Sequence, residues 1–296
     1  MRLPKNFLAP ISEYTNLPFR LLCQKYGATA TVVPLVNVTA IAKRKEGVDK
    51  IQISDKEKFV GVQLFGSNPT EFKIASHVLL DSFPFIKWFD INCGCPMDNI
   101  IRIGAGAALL KKPKKIVEII SSLYHTDLPI SVKMRILENE KKTICFCKKI
   151  EQGGADFLVV HGRTPTQLYS GKANWDIIKK ISNEINVPVV GNGDIANVAD
   201  GLGKVRDGFC ASFMIGRAAM KNPLCFKNKK PNDIKEQKRI FLEYFSFCEK
   251  VGYINITDLR QKALFIFRGC DNCSSIRFKI SQAKSVEDLL GFVKSL

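Results

Sequence analysis

Short apolar runs recur along the chain, and each gives way to polar residues at its C-terminal end. They cover residues 7–10, 31–34, 60–65, 88–92, 130–134, 157–161, 187–192 and 212–216, with successive starts 24 to 42 residues apart. The runs are near-continuous rather than alternating, which is the pattern of parallel strands buried on both faces. Stretches with helical periodicity, such as 113–123 and 143–152, lie between them. Strand–helix alternation at this spacing predicts βα units. Eight such units predict an α/β protein built on a closed (β/α)8 barrel, the TIM barrel, rather than an open sheet. A doubly wound sheet would carry a glycine-rich dinucleotide fingerprint after an early strand, and the sequence has none.

The rhythm changes after Lys221, Asn222 and Pro223. Residues 228–233 read as a polar linker, and 234–251, 256–267 and 285–294 as helices. The expected organisation is a barrel domain over 1–225 followed by a small C-terminal α-helical domain over 226–296. The length of 296 residues suits that division, since one barrel takes about 250 residues.

The strand ends carry the polar chemistry. In order they supply Gln63, Asn92 with Cys95, Lys133 with Arg135, His161 with Arg163, Asn192-Gly193-Asp194, and Gly216-Arg217. Any one of these alone reads as ordinary surface. Six sets in register at the C-terminal face of a barrel read as a site, because that face holds the active site in this fold.

Charge adds a partner. Lys and Arg number 45 against 28 Asp and Glu, a formal net charge of +17. Such a field attracts polyanions, nucleic acid first and an anionic membrane surface second. The bland alternative is a lysine-rich proteome. The basic residues cluster at 111–115, 141–149 and 227–239, and residues 226–296 hold 14 Lys and Arg against 8 Asp and Glu. Clustering favours a patch. The first residues carry no leader pattern, and no apolar run approaches the roughly 20 residues of a spanning helix. The expectation is a soluble, cytoplasmic protein, with no membrane association and a monomer by default. The ten cysteines are then expected to be reduced thiols.

The motifs, taken in order, resemble the tRNA-dihydrouridine synthase family. The resemblance rests on Ala9-Pro10-Ile11 with Leu17-Pro18-Phe19-Arg20, Val62-Gln63-Leu64-Phe65-Gly66, and Asp90-Ile91-Asn92-Cys93-Gly94-Cys95-Pro96. It continues through Gly104-Ala105-Gly106-Ala107-Ala108, Ser131-Val132-Lys133-Met134-Arg135, and His161-Gly162-Arg163-Thr164 with Tyr169-Ser170-Gly171. Asn192-Gly193-Asp194 and Ile215-Gly216-Arg217 complete it. Departures are Ile11 where the family usually has Met, Pro34 where strand two usually ends in an acidic residue, and Cys270 with Cys273 in a turn that is usually rich in Gly and Pro.

The resemblance implies a uridine reductase acting on tRNA, with FMN as cofactor and NADPH or NADH as electron donor. Loops after strands seven and eight of such barrels commonly bind phosphate. Asn192, Gly193, Asp194, Gly216 and Arg217 are therefore the expected phosphate site. Lys133 would face the flavin N1/O2 edge, and a fixed cation there tunes the cofactor. Gln63 and Asn92 would meet its polar edge, Pro10, Ile11 and Ser12 would line the ring, and His161 would lie near the flavin or its phosphate. Arg102, Arg135 and Arg163 are candidate contacts to the target nucleotide.

Reduction of uracil needs a hydride at C6 and a proton at C5. With hydride arriving from flavin N5 on one face, an acid on the other must supply the proton. A thiol, ordinarily protonated at neutral pH with a pKa of about 8.5, can donate. Cys95, between Gly94 and Pro96 past a strand end, is the expected general acid. Cys23, Cys93, Cys145, Cys147, Cys210, Cys225 and Cys248 read as packing residues. Cys270-x-x-Cys273 lacks the further ligands that structural zinc requires, so no metal is expected and the pair reads as structural or redox-labile. The alternative is an FMN barrel reductase of a small pyrimidine or enone, which would not need the basic charge. A third, an RNA-binding module without catalysis, leaves Cys95, Lys133 and His161 unexplained.

Overall fold

The apolar runs do form strands: β1 (Asn6–Leu8), β2 (Thr31–Asn37), β3 (Val60–Phe65), β4 (Trp88–Cys93), β5 (Ile130–Arg135), β6 (Phe157–His161), β7 (Val189–Asn192) and β8 (Ser212–Ile215). They belong to a computed structural model that describes residues 2–44, 47–231, 233–269 and 272–296. Every pairing is parallel, in the order β1-β8-β7-β6-β5-β4-β3-β2. The two ends of the sheet meet just before β2. The Leu8 N–H donates to the Ala30 carbonyl at 2.9 Å, and the Ala30 N–H donates to the Asn6 carbonyl at 3.2 Å. Asn6 strengthens this short seam, its side chain accepting from the Thr29 N–H at 2.9 Å while its carbonyl accepts from the Thr29 hydroxyl at 2.6 Å.

One strand differs from the sequence reading. β2 does not end at Pro34 but runs on to Asn37, with a shift of register between Val33 and Val36. Proline has no N–H to give the ladder, and Leu35 adopts a left-handed φ of 46°. A local irregularity absorbs both, as bulges do.

Each strand is buried on both faces, which accounts for the continuous apolar runs. Val62, Leu64, Ile91, Cys93 and Val132 face outward into the core under the helices. Phe7, Val32, Trp88, Phe157 and Val159 face inward and fill the N-terminal half of the barrel. Trp88 is edge-on to Phe7, ring centroids 5.9 Å apart, and stacks on Phe59 at 5.1 Å. Gly61 leaves room for that indole, since a Cβ there would lie 2.2 Å from it.

Helices α1 (Leu17–Lys25), α2 (Val38–Arg44), α3 (Pro69–Ser82), α4 (Asp98–Arg102), α5 (Pro113–Leu123), α6 (Glu140–Gln152), α7 (Trp175–Glu184), α8 (Val198–Arg206) and α9 (Arg217–Lys221) alternate with the strands. Several start on an asparagine whose side chain accepts a backbone N–H of the first turn: Asn16 from Phe19, Asn139 from Lys142, Asn174 from Ile177. Such caps satisfy donors that the helix itself leaves open.

Beyond the barrel come α10 (Ile234–Lys250), α11 (Ile256–Ile266), α12 (Cys273–Gln282) and α13 (Val286–Ser295). α12 escaped the sequence reading because its apolar stripe is thin: Ile276 and Ile280 are buried while Phe278 is exposed. Cys273 opens this helix, and Cys270 lies outside the described residues. The helical region shares one apolar core with the barrel, in which Phe19 and Leu22 of α1 join Phe241 and Tyr244 of α10 and Leu259 and Ala263 of α11. A buried polar group sits in that seam. The Lys262 ammonium donates to Asp258 at 2.7 Å, Asn16 donates to Asp258 at 3.1 Å and to the Tyr244 hydroxyl at 2.9 Å, and Tyr244 in turn donates to Asp258. The ammonium also lies 4.0 Å from the centroid of the Tyr14 ring. Among the described residues, no helix is long and apolar enough to cross a membrane.

Candidate active site

The inward-facing residues change character halfway up the barrel. Above the aromatic layer each strand, or the loop after it, sends side chains into a cavity of about 780 Å³ at the C-terminal face. Pro10, Ile11, Ser12, Gln63, Asn92, Cys95, Lys133, Arg135, His161, Asn192, Gly193, Asp194, Gly216 and Arg217 all line it. Of the residues singled out from sequence, Arg102 and Arg163 do not.

The floor is a chain of hydrogen bonds with one carboxylate at its root. Ser131 donates to Asp90 Oδ1 at 2.6 Å, and Gln63 Nε2 donates to Asp90 Oδ2 at 2.6 Å. Gln63 Oε1 accepts from Asn92 Nδ2 at 2.8 Å. Asn92 Oδ1 is thereby aimed at the next turn, where it accepts from the Gly94 N–H at 3.2 Å and the Cys95 N–H at 3.0 Å. A donor and an acceptor are fixed at each step, so Asp90 sets the orientation of both amides and, through them, the loop that carries Cys95. Burial pushes the Asp90 carboxyl up to about 6, against the hydrogen bonds from Ser131 and Gln63 and the charge of Lys133. Sequence reading passed over Asp90, although period-two alternation places it on the same inward face as Asn92.

The Cys95 loop is backed from the other side. Its carbonyl accepts from the Ala107 N–H at 2.9 Å. A Cβ on Gly106, which has φ +59°, would come within 2.6 Å of that same oxygen, so only glycine lets the chain pass. The two cysteines of the motif are thus separated. Cys93 points outward and is fully buried under the helices, where burial pushes its thiol well up. Cys95 is half-buried and opens on the cavity.

The wall is strongly cationic. Lys133, Arg135, Arg217 and Lys221 line it, against Asp194 as its one carboxylate among the described residues. Burial pulls the Lys133 ammonium down to about 8, with Asp90 opposing and Arg135 adding to the fall. Lys133 reaches Asn192 Oδ1 at 3.4 Å. His161 is pulled down to about 2 by burial first, then by the charges of Lys133, Arg135, Arg163 and Arg217. At neutral pH it is a neutral imidazole among cations. Burial would raise the Asp194 carboxyl, but the Ala173 N–H and the charges of Arg163 and Arg217 hold it below the usual range.

Backbone shape positions this anion-seeking corner. Gly193 has φ +122°, and a Cβ there would sit 2.6 Å from Ala173 Cβ and 3.0 Å from the His161 ring. Asp194 follows with φ 55°. Its carboxylate takes Arg217 at 2.8 Å and Arg163 at 2.7 Å. Arg163 is 2% exposed and also donates to the carbonyls of Ser170 and Gly171, so it ties the loop after β6 to the turn after β7. Arg135 donates to the carbonyls of Thr164 and Leu168 at 3.0 and 2.8 Å and still faces the cavity. Tyr169 lies between two guanidiniums, Arg217 4.6 Å and Arg135 5.7 Å from its ring centroid. Periodicity gave no sign of this tyrosine's part in the wall, because it stands on a loop. Arg102 is exposed at the end of α4, outside the cavity.

Comparison with known proteins bears on what such a cavity does. The model of the family described as dihydrouridine synthase (Dus) matches residues 7–278. The chain is 28% identical over 296 positions to a probable tRNA-dihydrouridine synthase of Aquifex aeolicus (strain VF5), covering 96% of this chain and 93% of that protein. It is 31% identical over 258 positions to a tRNA-dihydrouridine(47) synthase of Coprinopsis cinerea whose name includes NAD(P)(+), covering 80% of this chain and 38% of that longer protein. Among solved structures, a 6-hydroxypseudooxynicotine amine oxidase from Pseudomonas geniculata N1 is similar, with a TM-score of 0.58 and 10% identity over 82% of this chain and 50% of that one. That last likeness shows the fold alone.

Proposed function

This chain belongs to the dihydrouridine synthase family, and we propose that it reduces the C5=C6 bond of uridines in tRNA, with FMN as its cofactor and NADPH or NADH as electron donor. The observation that carries this reading is the placement of Cys95, on a loop fixed by Asn92 and opening on the same cavity as Lys133, Arg135 and Arg217.

The donor set fits FMN. Lys133, Arg135, Arg163 and Arg217 act on one small corner against two carboxylates, Asp194 on its wall and Asp90 beneath its floor, and burying like charges together is costly unless an anion joins them. Arg217 and the turns at Asn192-Gly193-Asp194 and Gly216 would hold its phosphate. Lys133, still largely protonated at neutral pH, would meet the electron-rich edge of the ring, with Gln63 and Asn92 beside it and Pro10, Ile11 and Ser12 against it. The chemistry FMN supplies when bound is hydride transfer from nicotinamide to uracil C6.

Cys95 holds the proton that C5 receives. His161 is neutral at the working pH and serves as a hydrogen-bonding neighbour, not as a proton source. Arg135, braced by two loop carbonyls, is placed to orient the target base. Arg163 acts on the nucleotide only through the loop it braces. A uridine inside a folded tRNA must leave its stack to reach such a cavity, and the basic clusters with the helical region would grip the phosphate backbone. The enzyme is read as a cytoplasmic monomer.

The test is direct. Unmodified tRNA is incubated with the purified protein, FMN and NADPH, and its nucleosides are mapped by mass. A gain of two hydrogens on particular uridines is expected. A yellow, NADPH-oxidising protein that leaves every uridine unchanged while reducing free pyrimidines or enones would overturn the tRNA assignment.

A further inference from the structure

Ten large apolar side chains are exposed among the described residues, and five of them stand on the two segments that follow β4 and β6 and that reach the cavity through Met97, Leu168 and Tyr169. Met97, Ile101 and Ile103 follow β4, while Leu168 and Tyr169 follow β6. Scattered exposed apolar residues are ordinary, whereas a contiguous group marks a contact surface. Met97, Leu168 and Tyr169 also line the cavity, so the group is continuous with the site.

The loop after β4 does not expose these side chains for want of a core. Ile100, in the same short helix, is 4% exposed, while Ile101 and Ile103 on either side of Arg102 are 38% and 49% exposed. The segment is also fastened. The Ser67 hydroxyl donates to the Ile103 carbonyl at 2.8 Å, the Ala105 N–H donates to the Ile100 carbonyl at 3.2 Å, and Ala105 is fully buried. The loop therefore presents an apolar ledge on a rigid mount.

We propose that Met97, Ile101 and Ile103 form a ledge on which the bases flanking the target uridine in tRNA rest once that uridine has been drawn into the cavity, with Leu168 and Tyr169 as the opposite lip. The inference rests on the tRNA reading above. Drawing one base out removes a stacking partner from each neighbour, and an apolar surface at the mouth replaces what was lost. Charge selects RNA as the occupant. Arg102, between the two isoleucines in sequence, is exposed, Arg135 and Arg217 line the cavity, and the chain as a whole carries +17. A second copy docking through the same face would bring these cations against their own images.

The test uses the FMN-loaded full chain carrying Ile101→Ser and Ile103→Ser together, checked for an unchanged melting temperature and flavin content. Affinity for a pool of tRNA lacking dihydrouridine is measured over a series of salt concentrations. The expected result is a loss of about tenfold at every salt concentration with the slope of log Kd against log salt unchanged, because apolar contacts release no counterions. Arg102→Ala, in contrast, should make that slope shallower. Unchanged affinity in the double variant, or a loss that comes with a changed slope, overturns the ledge. So does sedimentation of the wild-type protein as a dimer that the variant abolishes, which would assign the face to a second copy. If the wild-type protein neither binds nor reduces tRNA, the tRNA reading itself fails, and the ledge with it.

Discussion

The two ends of the barrel interior are built by the same strands on opposite terms. At the N-terminal end Phe7, Trp88 and Phe157 fill the space with rings. Two to four residues further along β4 and β6 stand Asp90, Asn92 and His161, with Lys133 on β5 between those strands, all buried or nearly so and all polar. Burial of apolar surface stabilises the first end, while desolvation of polar groups costs the second. The polar end persists because Asp90, Asn92 and Lys133 have hydrogen-bond partners and because the aromatic end holds the strands in place. The division separates stability from chemistry along every strand, so substitutions at the two ends should have different signatures.

The largest effect should come from the aromatic end. Trp88→Ala removes the ring that meets Phe7 and Phe59, and should cost about 3–5 kcal/mol in urea denaturation. The flavin-binding affinity of whatever fraction remains folded should be nearly unchanged. A loss of flavin affinity in the folded fraction, without loss of stability, would erase the distinction between the ends.

Next in size is Cys95→Ala. Flavin reduction by NADPH and binding of tRNA should persist, but single-turnover reoxidation of the flavin by tRNA should slow about 10²-fold or more, the scale of a positioned acid. Cys93→Ala, which alters the packed outer face, should touch stability rather than this rate. If the Cys93 variant is the slow one, the assignment of the proton is wrong.

A smaller effect is expected at the phosphate corner. Arg217→Ala should weaken FMN by about tenfold, roughly one charge-assisted hydrogen bond, and leave riboflavin affinity nearly unaltered. Equal losses for both ligands in fluorescence titrations would remove the phosphate from Arg217.

The smallest effect concerns pH. His161 is held to about 2 in the folded protein, so between its ordinary value of about 6.5 and that point the unfolded chain takes up a proton that the folded one refuses. Its contribution to stability is complete above pH 6.5 or so and declines as pH falls. Asp90, raised to about 6, works in the opposite sense, because the folded protein binds its proton first. In flavin-free protein, His161→Gln should thus gain about 1 kcal/mol on the wild type between about pH 7 and about pH 5.5. A constant difference between the two proteins over that range would show that His161 is not held neutral by its burial and the cations around it.

The strand ladder was legible in the sequence because burial on both faces writes itself as continuous apolar runs, and the polar strand ends stood out against them. The cavity residues from Gln63 to Arg217 could be named for the same reason, whereas Pro10, Ile11 and Ser12 came from the family resemblance. Asp90 was hidden inside an apolar run, where a polar residue reads as a blemish. Arg163 looked like a ligand contact from its place after His161, and only the fold of its loop shows the guanidinium turned inward to Asp194 and two carbonyls. Tyr169 and Met97 stand on loops, where no period exists to read. β2 overran its expected end because an irregularity let the strand continue past a proline.

The seam between α1 and the helical region limits how this enzyme could be recombined with its relatives. Asn16 and Tyr14 belong to the loop and cap before α1, and their partners Asp258 and Lys262 belong to α11. A chimera crossed over at residue 226 would inherit half of that set from each parent and leave a buried ammonium or carboxylate facing a stranger. The exchangeable unit is therefore discontinuous: the helical region together with the first turn of α1 and the loop that leads into it. That same loop carries Pro10, Ile11 and Ser12 into the cavity, so any graft meant to alter which RNA is held would arrive with a piece of the reaction chamber attached.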